Sequence, residues 1–209
     1  MSTMYGIVQE DSLGAGAEGT QVAVRVSPRG EATVIDFYTS MALAGRAYQV
    51  RAGTITTHLT GDVEITDTAA EMTADASTGT TILPVYANFH IEALGGTVPI
   101  VTAKSVGAIS TAGTAFVPLP LKMGGAASTA TARVQAAGAC TVTAELATTT
   151  RRHFSATLVS VDAPIVTWEP RVPPALVGPA CFYVQIAATT TGPNYYAAFD
   201  FIELTSASI

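Results

Sequence analysis

The sequence predicts an all-β protein. The expected form is an antiparallel β-sandwich of jelly-roll type, with an irregular N-terminal arm over residues 1–20 and a single domain over residues 21–209. Three observations carry this. Short runs alternate apolar and polar residues with period 2, glycines and prolines punctuate them at close intervals, and only one segment has a helix-start signal. A chain of 209 residues is long enough to bury one large β core without disulfide staples.

Taken in order, residues 1–20 show neither a period of 2 nor of 3.6. Glu10-Asp11-Ser12 and the glycines Gly14, Gly16 and Gly19 punctuate them, which predicts an arm that a neighbouring subunit orders. Alternation begins at Val22, Val24 and Val26. Ser27-Pro28-Arg29-Gly30 is a turn signal, and the β-rich run at 33–38 predicts a hairpin across it. Tyr48, Val50 and Ala52 alternate with Gln49 and Arg51, and Val63 and Ile65 with Asp62, Glu64 and Thr66. Thr68-Ala69-Ala70-Glu71 has the form of a capping box, which predicts one or two helical turns at 69–76.

The clearest strand follows, with Leu83, Val85, Ala87, Phe89 and Ile91 inward and Pro84, Tyr86, Asn88, His90 and Glu92 outward, closed by Gly95-Gly96. Residues 98–102 and 115–121 are further extended runs. Pro118 and Pro120 cannot donate to a ladder and confine the second run to an edge or a polyproline-like crossing. After Gly124-Gly125, Val134 and Ala136 precede Gly138. Cys140, Val142, Ala144 and Leu146 line one strand, and Phe154, Ala156 and Leu158 begin another. Five prolines surround Trp168 within 163–180, predicting a long ordered loop. Phe182, Val184 and Ile186, a turn at Gly192-Pro193, and the run 195–204 predict a terminal hairpin. Its last strand is apolar on both faces, Phe199 and Phe201 against Ile202 and Leu204, which implies contact beyond its own sheet.

Composition narrows function. Hydrophobic residues make up 48% of the chain and charged residues 12%, against a usual charged share of about 25%. Lysine occurs only at Lys104 and Lys122. A surface this poor in charge is expected to be covered by other subunits rather than left in water. The net charge of −6 speaks against direct nucleic-acid binding, which needs cations against phosphates. Arg151-Arg152-His153, the one basic cluster, reads as a solvated loop. No run reaches the ~18–20 apolar residues of a membrane span. Met1-Ser2-Thr3-Met4-Tyr5 lacks a basic region followed by an apolar run, which predicts assembly in a cytoplasm.

No motif names a chemistry. Gly14-Ala15-Gly16-Ala17-Glu18-Gly19 matches G-x-G-x-x-G, yet a strand rather than a helix follows, so no helix N-terminus meets a phosphate. Asp62, Glu64 and Asp67, with Glu71 or Asp75, would offer a divalent ion only a loose cluster without a defined loop. His58, His90 and His153 belong to no ligand or catalytic pattern, and no serine sits in a nucleophile elbow. Cys140 and Cys181 read as buried, unbridged thiols. Trp168, Tyr183, Tyr195 and Tyr196 are the residues that would stack on sugar rings. Neither an enzyme nor a cofactor requirement is expected.

Low charge, strands rich in Ala, Thr, Gly and Val, an irregular arm and a terminal pair of strands together resemble the β-sandwich coat, penton and cement proteins of bacteriophages. The resemblance implies a virion building block, assembled in the host cytoplasm, that forms trimers or rings and contacts other virion proteins. The alternative is a carbohydrate- or receptor-binding β-sandwich module of phage-tail or adhesion type, in which a glycan would be the partner.

Overall fold

The computed structural model describes residues 5–6, 22–23, 36–66, 68–95, 98–135, 138–144, 150–158 and 165–205, and these form antiparallel strands with one short helix. Tyr5–Gly6 (β1) pairs with Val22–Ala23 (β2). The G-x-G-x-x-G run, Asp67 and the predicted turn at 27–30 lie outside the described residues.

Of the run 33–38 expected to close a hairpin, 33–35 lie outside the described residues, and Asp36, Phe37 and Tyr38 instead cap and begin helix α1, Phe37–Leu43. Local capping outweighs the β propensity of Phe37 and Tyr38. The Asp36 carboxylate accepts the Thr39 amide at 3.0 Å, a helix N-cap. At the other end Gly45, at φ +74°, donates to Ala42 O and Arg46 donates to Met41 O. Those two bonds make a Schellman stop, whose left-handed residue favours glycine.

The strands then run Ala47–Ala52 (β3), Leu59–Thr60 (β4), Ala69–Ala70 (β5), Met72–Ala76 (β6), Thr80–Ala93 (β7) and Ile100–Val106 (β8). Next come Thr111–Ala112 (β9), Thr114–Phe116 (β10), Leu119–Pro120 (β11), Thr131–Val134 (β12) and Cys140–Thr141 (β13). Arg151–Thr157 (β14), Ile165–Trp168 (β15), Leu176–Val177 (β16), Ala180–Ala187 (β17) and Asn194–Thr205 (β18) complete the order. One sheet is ordered β10-β12-β6-β17-β8-β14; a second is ordered β11-β3-β18-β7-β15, with β16 on β7 and β4 on β18; β5-β13-β9 form a third. Neither large sheet closes on itself.

Several expectations are corrected by this topology. The capping-box segment 69–76 is strand, because the Glu71 carboxylate bonds the amides of Asp62 and Ile186 rather than its own turn, and β6 is paired on both sides. Val63 is exposed and residues 63–66 lie in no strand. The proline-rich stretch contributes β15 and β16 to the edge of β7. β17 and β18 are not a hairpin: they belong to different sheets, and the chain crosses between them at 188–193. Pro118 sits where the chain passes from β10, at the edge of one sheet, to β11, at the edge of the other, as its missing N–H requires.

One hydrophobic core draws on both large sheets, with Tyr48, Val50, Phe89, Ile91, Tyr195, Phe199 and Phe201 from one and Met72, Val101, Phe182, Val184 and Ile186 from the other. Aromatic pairs join them: Phe182 meets Phe199 edge-on at 5.1 Å, and Phe89 stacks on Phe154 at 6.4 Å. Each such side chain contributes roughly 1.5–3 kcal/mol by leaving water. β17 is buried along its whole length. Its other face, Cys181 and Tyr183, packs with Ala70, Val106, Cys140 and Val142 under the three-stranded sheet. Cys140 and Cys181 are both free and buried.

β7 shows how register decides faces. Asp200 lies opposite Tyr86 but Phe201 opposite Pro84, so Val85 is an extra residue in a bulge. Ala87, Phe89 and Ile91 therefore point inward as expected, whereas Leu83 and Val85 turn to the outer face and Ile82 and Pro84 inward.

Candidate assembly surface

The bulge at Val85 and helix α1 together shape the outer face of the β11-β3-β18-β7-β15 sheet. The helix lies over one end of that face and leaves a cavity of ≈ 270 Å³ beneath it. Tyr38, Thr39 and Ala42 form the roof, Ala47, Val85 and Ile202 the floor, and Leu121 one wall. Ile202 is only 1% exposed, so the second apolar face of β18 is covered within the chain by helix α1, a contact beyond its own sheet.

Around this cavity the large apolar side chains face water. Phe37, Tyr38 and Leu43 on the helix are exposed, with Leu119, Leu121 and Met123 on the neighbouring segment, Met123 at 93%. Lys122 Nζ donates to Leu43 O at 2.9 Å and ties the two segments together. The other lysine, Lys104, is buried. The patch is thus mainly apolar, and Lys122, the exposed lysine within it, has its ammonium on the Leu43 carbonyl.

Asp200 is the charged group at the cavity. Gln49 Nε2 donates to its Oδ1 at 3.0 Å, and burial raises its pKa above the ordinary carboxylate value, with the Gln49 bond opposing. Sequence reasoning missed this surface because it read 33–38 as strand. The available signal was Asp36 eight residues before Ala44-Gly45, a cap and a stop around Phe37, Met41 and Leu43.

The acidic residues read as a loose cluster are dispersed except for Asp62 and Glu71, which lie side by side, and Asp67 is outside the described residues. Glu64 is exposed, whereas Glu71 is buried. Asp75 accepts from the amide and hydroxyl of Ser110 at 2.8 and 2.7 Å and lies 3.6 Å from Arg133. Among the described residues no group of three or more His, Cys, Asp or Glu could hold a metal ion. Burial raises the pKa of Asp62, and burial followed by the Asp62 charge raises that of Glu71 to about 8.

Two histidines distant in sequence meet in space. His90 stacks on Tyr196 at 4.4 Å and His58 at 6.0 Å. The close His90 ring takes up a face of Tyr196 that a sugar would use. Trp168, Tyr183 and Tyr195 are buried, so the four aromatics form no exposed platform. Arg151-Arg152-His153 is part of edge strand β14 rather than a loop. His153 is the extra residue of a bulge. Its Nε2 meets Ser105 Oγ at 2.8 Å, and burial, then Arg151, lowers its pKa.

Among the described residues no helix is long and apolar enough to cross a membrane. Compared with known proteins, the chain matches no family model, no curated protein and no solved structure.

Proposed function

We propose that this chain is a virion structural protein of bacteriophage type, a capsid or virion-surface building block that self-associates, as a trimer in the first instance. In this reading the two large sheets are the layers of one β-sandwich domain of jelly-roll type over residues 21–209, and residues 1–20 are an arm that reaches a neighbour or another virion protein. It acts without catalysis, cofactor or direct nucleic-acid contact, and assembles in the host cytoplasm.

The observation that supports this most is the apolar surface around α1 and residues 119–123, on a chain with 12% charged residues. A monomer that left Phe37, Leu43, Leu121 and Met123 in water would carry an association hazard, which a permanent contact removes. Obligate interfaces typically bury above ~2,000 Å² in total, so more than this patch must take part, and the other exposed apolar residues, Ile109, Val117 and Val172 among them, offer that area. The glycan-binding alternative lacks a comparable feature, since its aromatic residues are buried or face one another.

Sedimentation velocity and native mass spectrometry of the purified chain test the reading. Trimers or larger closed species at micromolar concentration are expected. A monodisperse species of 21.4 kDa, with none larger in any particle, overturns it.

A further inference from the structure

We propose that the cavity under α1 receives an arginine or lysine side chain from a partner protein, with the aliphatic stem against Ala42, Val85 and Ile202 and the cationic head on the Asp200 carboxylate. That the partner is a protein subunit rests on the assembly reading above; the chemistry of the pocket does not.

The size of the cavity sets the class of occupant. At ≈ 270 Å³ it falls below the ~300–1,000 Å³ of sites that enclose a drug-sized ligand, and suits one side chain. Its lining sets the polarity. Ala42, Ala47, Val85, Leu121 and Ile202 are apolar, and Asp200 is the ionisable carboxylate among the lining residues. A long apolar stem ending in a cation matches that arrangement in shape and sign.

The carboxylate also has capacity left. Among the described residues Gln49 is its hydrogen-bond donor, at Oδ1, while an ionised carboxylate has two oxygens and about four acceptor positions. A guanidinium would fill these in a bidentate pair. Lys122, next to Leu121 in the wall, is already held on the Leu43 carbonyl at 2.9 Å. Bringing in a cation offsets what burial costs the ionised Asp200, a gain that an apolar side chain would not supply.

N-butylguanidinium is the probe and 1-pentanol its neutral comparator, read by methyl NMR of Ala42, Val85, Leu121 and Ile202 at neutral pH. The expected result is saturable shifts of these methyls by the guanidinium at least tenfold tighter than by the alcohol, with the preference lost in Asp200→Asn. Equal titration by both probes in the wild-type chain, or no shift with either, overturns the proposal without need of the variant. A chain that self-associates but ignores the guanidinium refutes the pocket and spares the assembly reading; a monomer that binds it does the reverse.

Discussion

Glu71 Oε2 accepts the backbone N–H of Ile186 at 2.7 Å, from a side chain that is 1% exposed and 115 residues away in sequence. Its other oxygen accepts the Asp62 amide at 3.3 Å. One carboxyl group therefore joins the segment before β5 to the C-terminal end of β17, at the point where a capping box was expected to start a helix. Removal from water outweighs both bonds. Its pKa is lifted from 4.5 to about 8, with the Asp62 charge the second cause.

The first prediction follows from that sign. Between 4.5 and about 8 the folded chain keeps a proton on Glu71 that the unfolded chain has lost. The stabilisation is complete below 4.5 and is lost as pH rises towards 8, a span equivalent to roughly 5 kcal/mol. Denaturant midpoints measured from pH 4.5 to 8.5 should fall steadily. Glu71→Gln should flatten the slope, and Asp62→Asn should shift it to lower pH. A midpoint that climbs through this window contradicts the assignment.

Gly61 and Gly192 give the second. A Cβ on Gly192 would stand 1.7 Å from the Gly61 carbonyl oxygen, and one on Gly61 would stand 2.3 Å from the oxygen of Ile186. The crossing from β17 to β18 depends on this backbone-to-backbone approach, since Asp62 N bonds Ile186 O and Ala188 N bonds Asp62 O. Gly192→Ala should cost about 3 kcal/mol or more, at the top of the range for overpacking. Gly138→Ala, with nothing within 4 Å, should fall between neutral and about 1 kcal/mol stabilising. Thermal melts of the two variants side by side decide it, and equal losses would refute the close approach.

The all-β class and the inward face at Tyr48, Val50, Ala52, Ala87, Phe89 and Ile91 were legible because period-2 alternation reports burial directly. Leu83 and Val85 were not, because a bulge inserts one residue and inverts the parity upstream, and no local residue type announces it. The separation of β17 and β18 into different sheets was also illegible. Gly192-Pro193 is a sound turn signal, but whether a turn joins neighbours in one sheet or crosses to another depends on Gly61, far away in sequence. Helix α1 was legible in its caps and was lost to the β propensity of Phe37 and Tyr38. Of the histidines that meet Tyr196, His90 comes from β7 and His58 from the turn before β4, and they share no spacing, so the sequence carried no trace of their meeting.

The thiols supply a third prediction. Burial raises Cys140 to about 12, with Glu71 the next cause, and raises Cys181 well above the ordinary thiol value. A thiol reacts as its thiolate, so neither should react with a disulfide reagent at pH 8 in the folded chain. Two equivalents should appear in denaturant, and a chelator should leave the melting midpoint unmoved. One native equivalent would show that β13 opens, and none on unfolding would reveal a bridge.

The last prediction separates folding from association. Leu43 is 59% exposed and Met123 93%, so replacing both by lysine removes little that the folded monomer buries. Exposed substitutions of this kind usually change stability by about 0.5 kcal/mol or less. At the centre of an interface the same change must desolvate two ammonium groups without partners, which costs several kcal/mol. Leu43→Lys with Met123→Lys should therefore preserve the circular dichroism spectrum and bring the melting behaviour to that of a folded monomer, while self-association weakens by tenfold or more in sedimentation velocity. Thr111→Lys, exposed on β9 and away from α1, provides the matched control for added charge. If the double variant associates as tightly as the wild-type chain, the surface around α1 faces solvent in the assembly and the contact must be sought on the other exposed apolar residues.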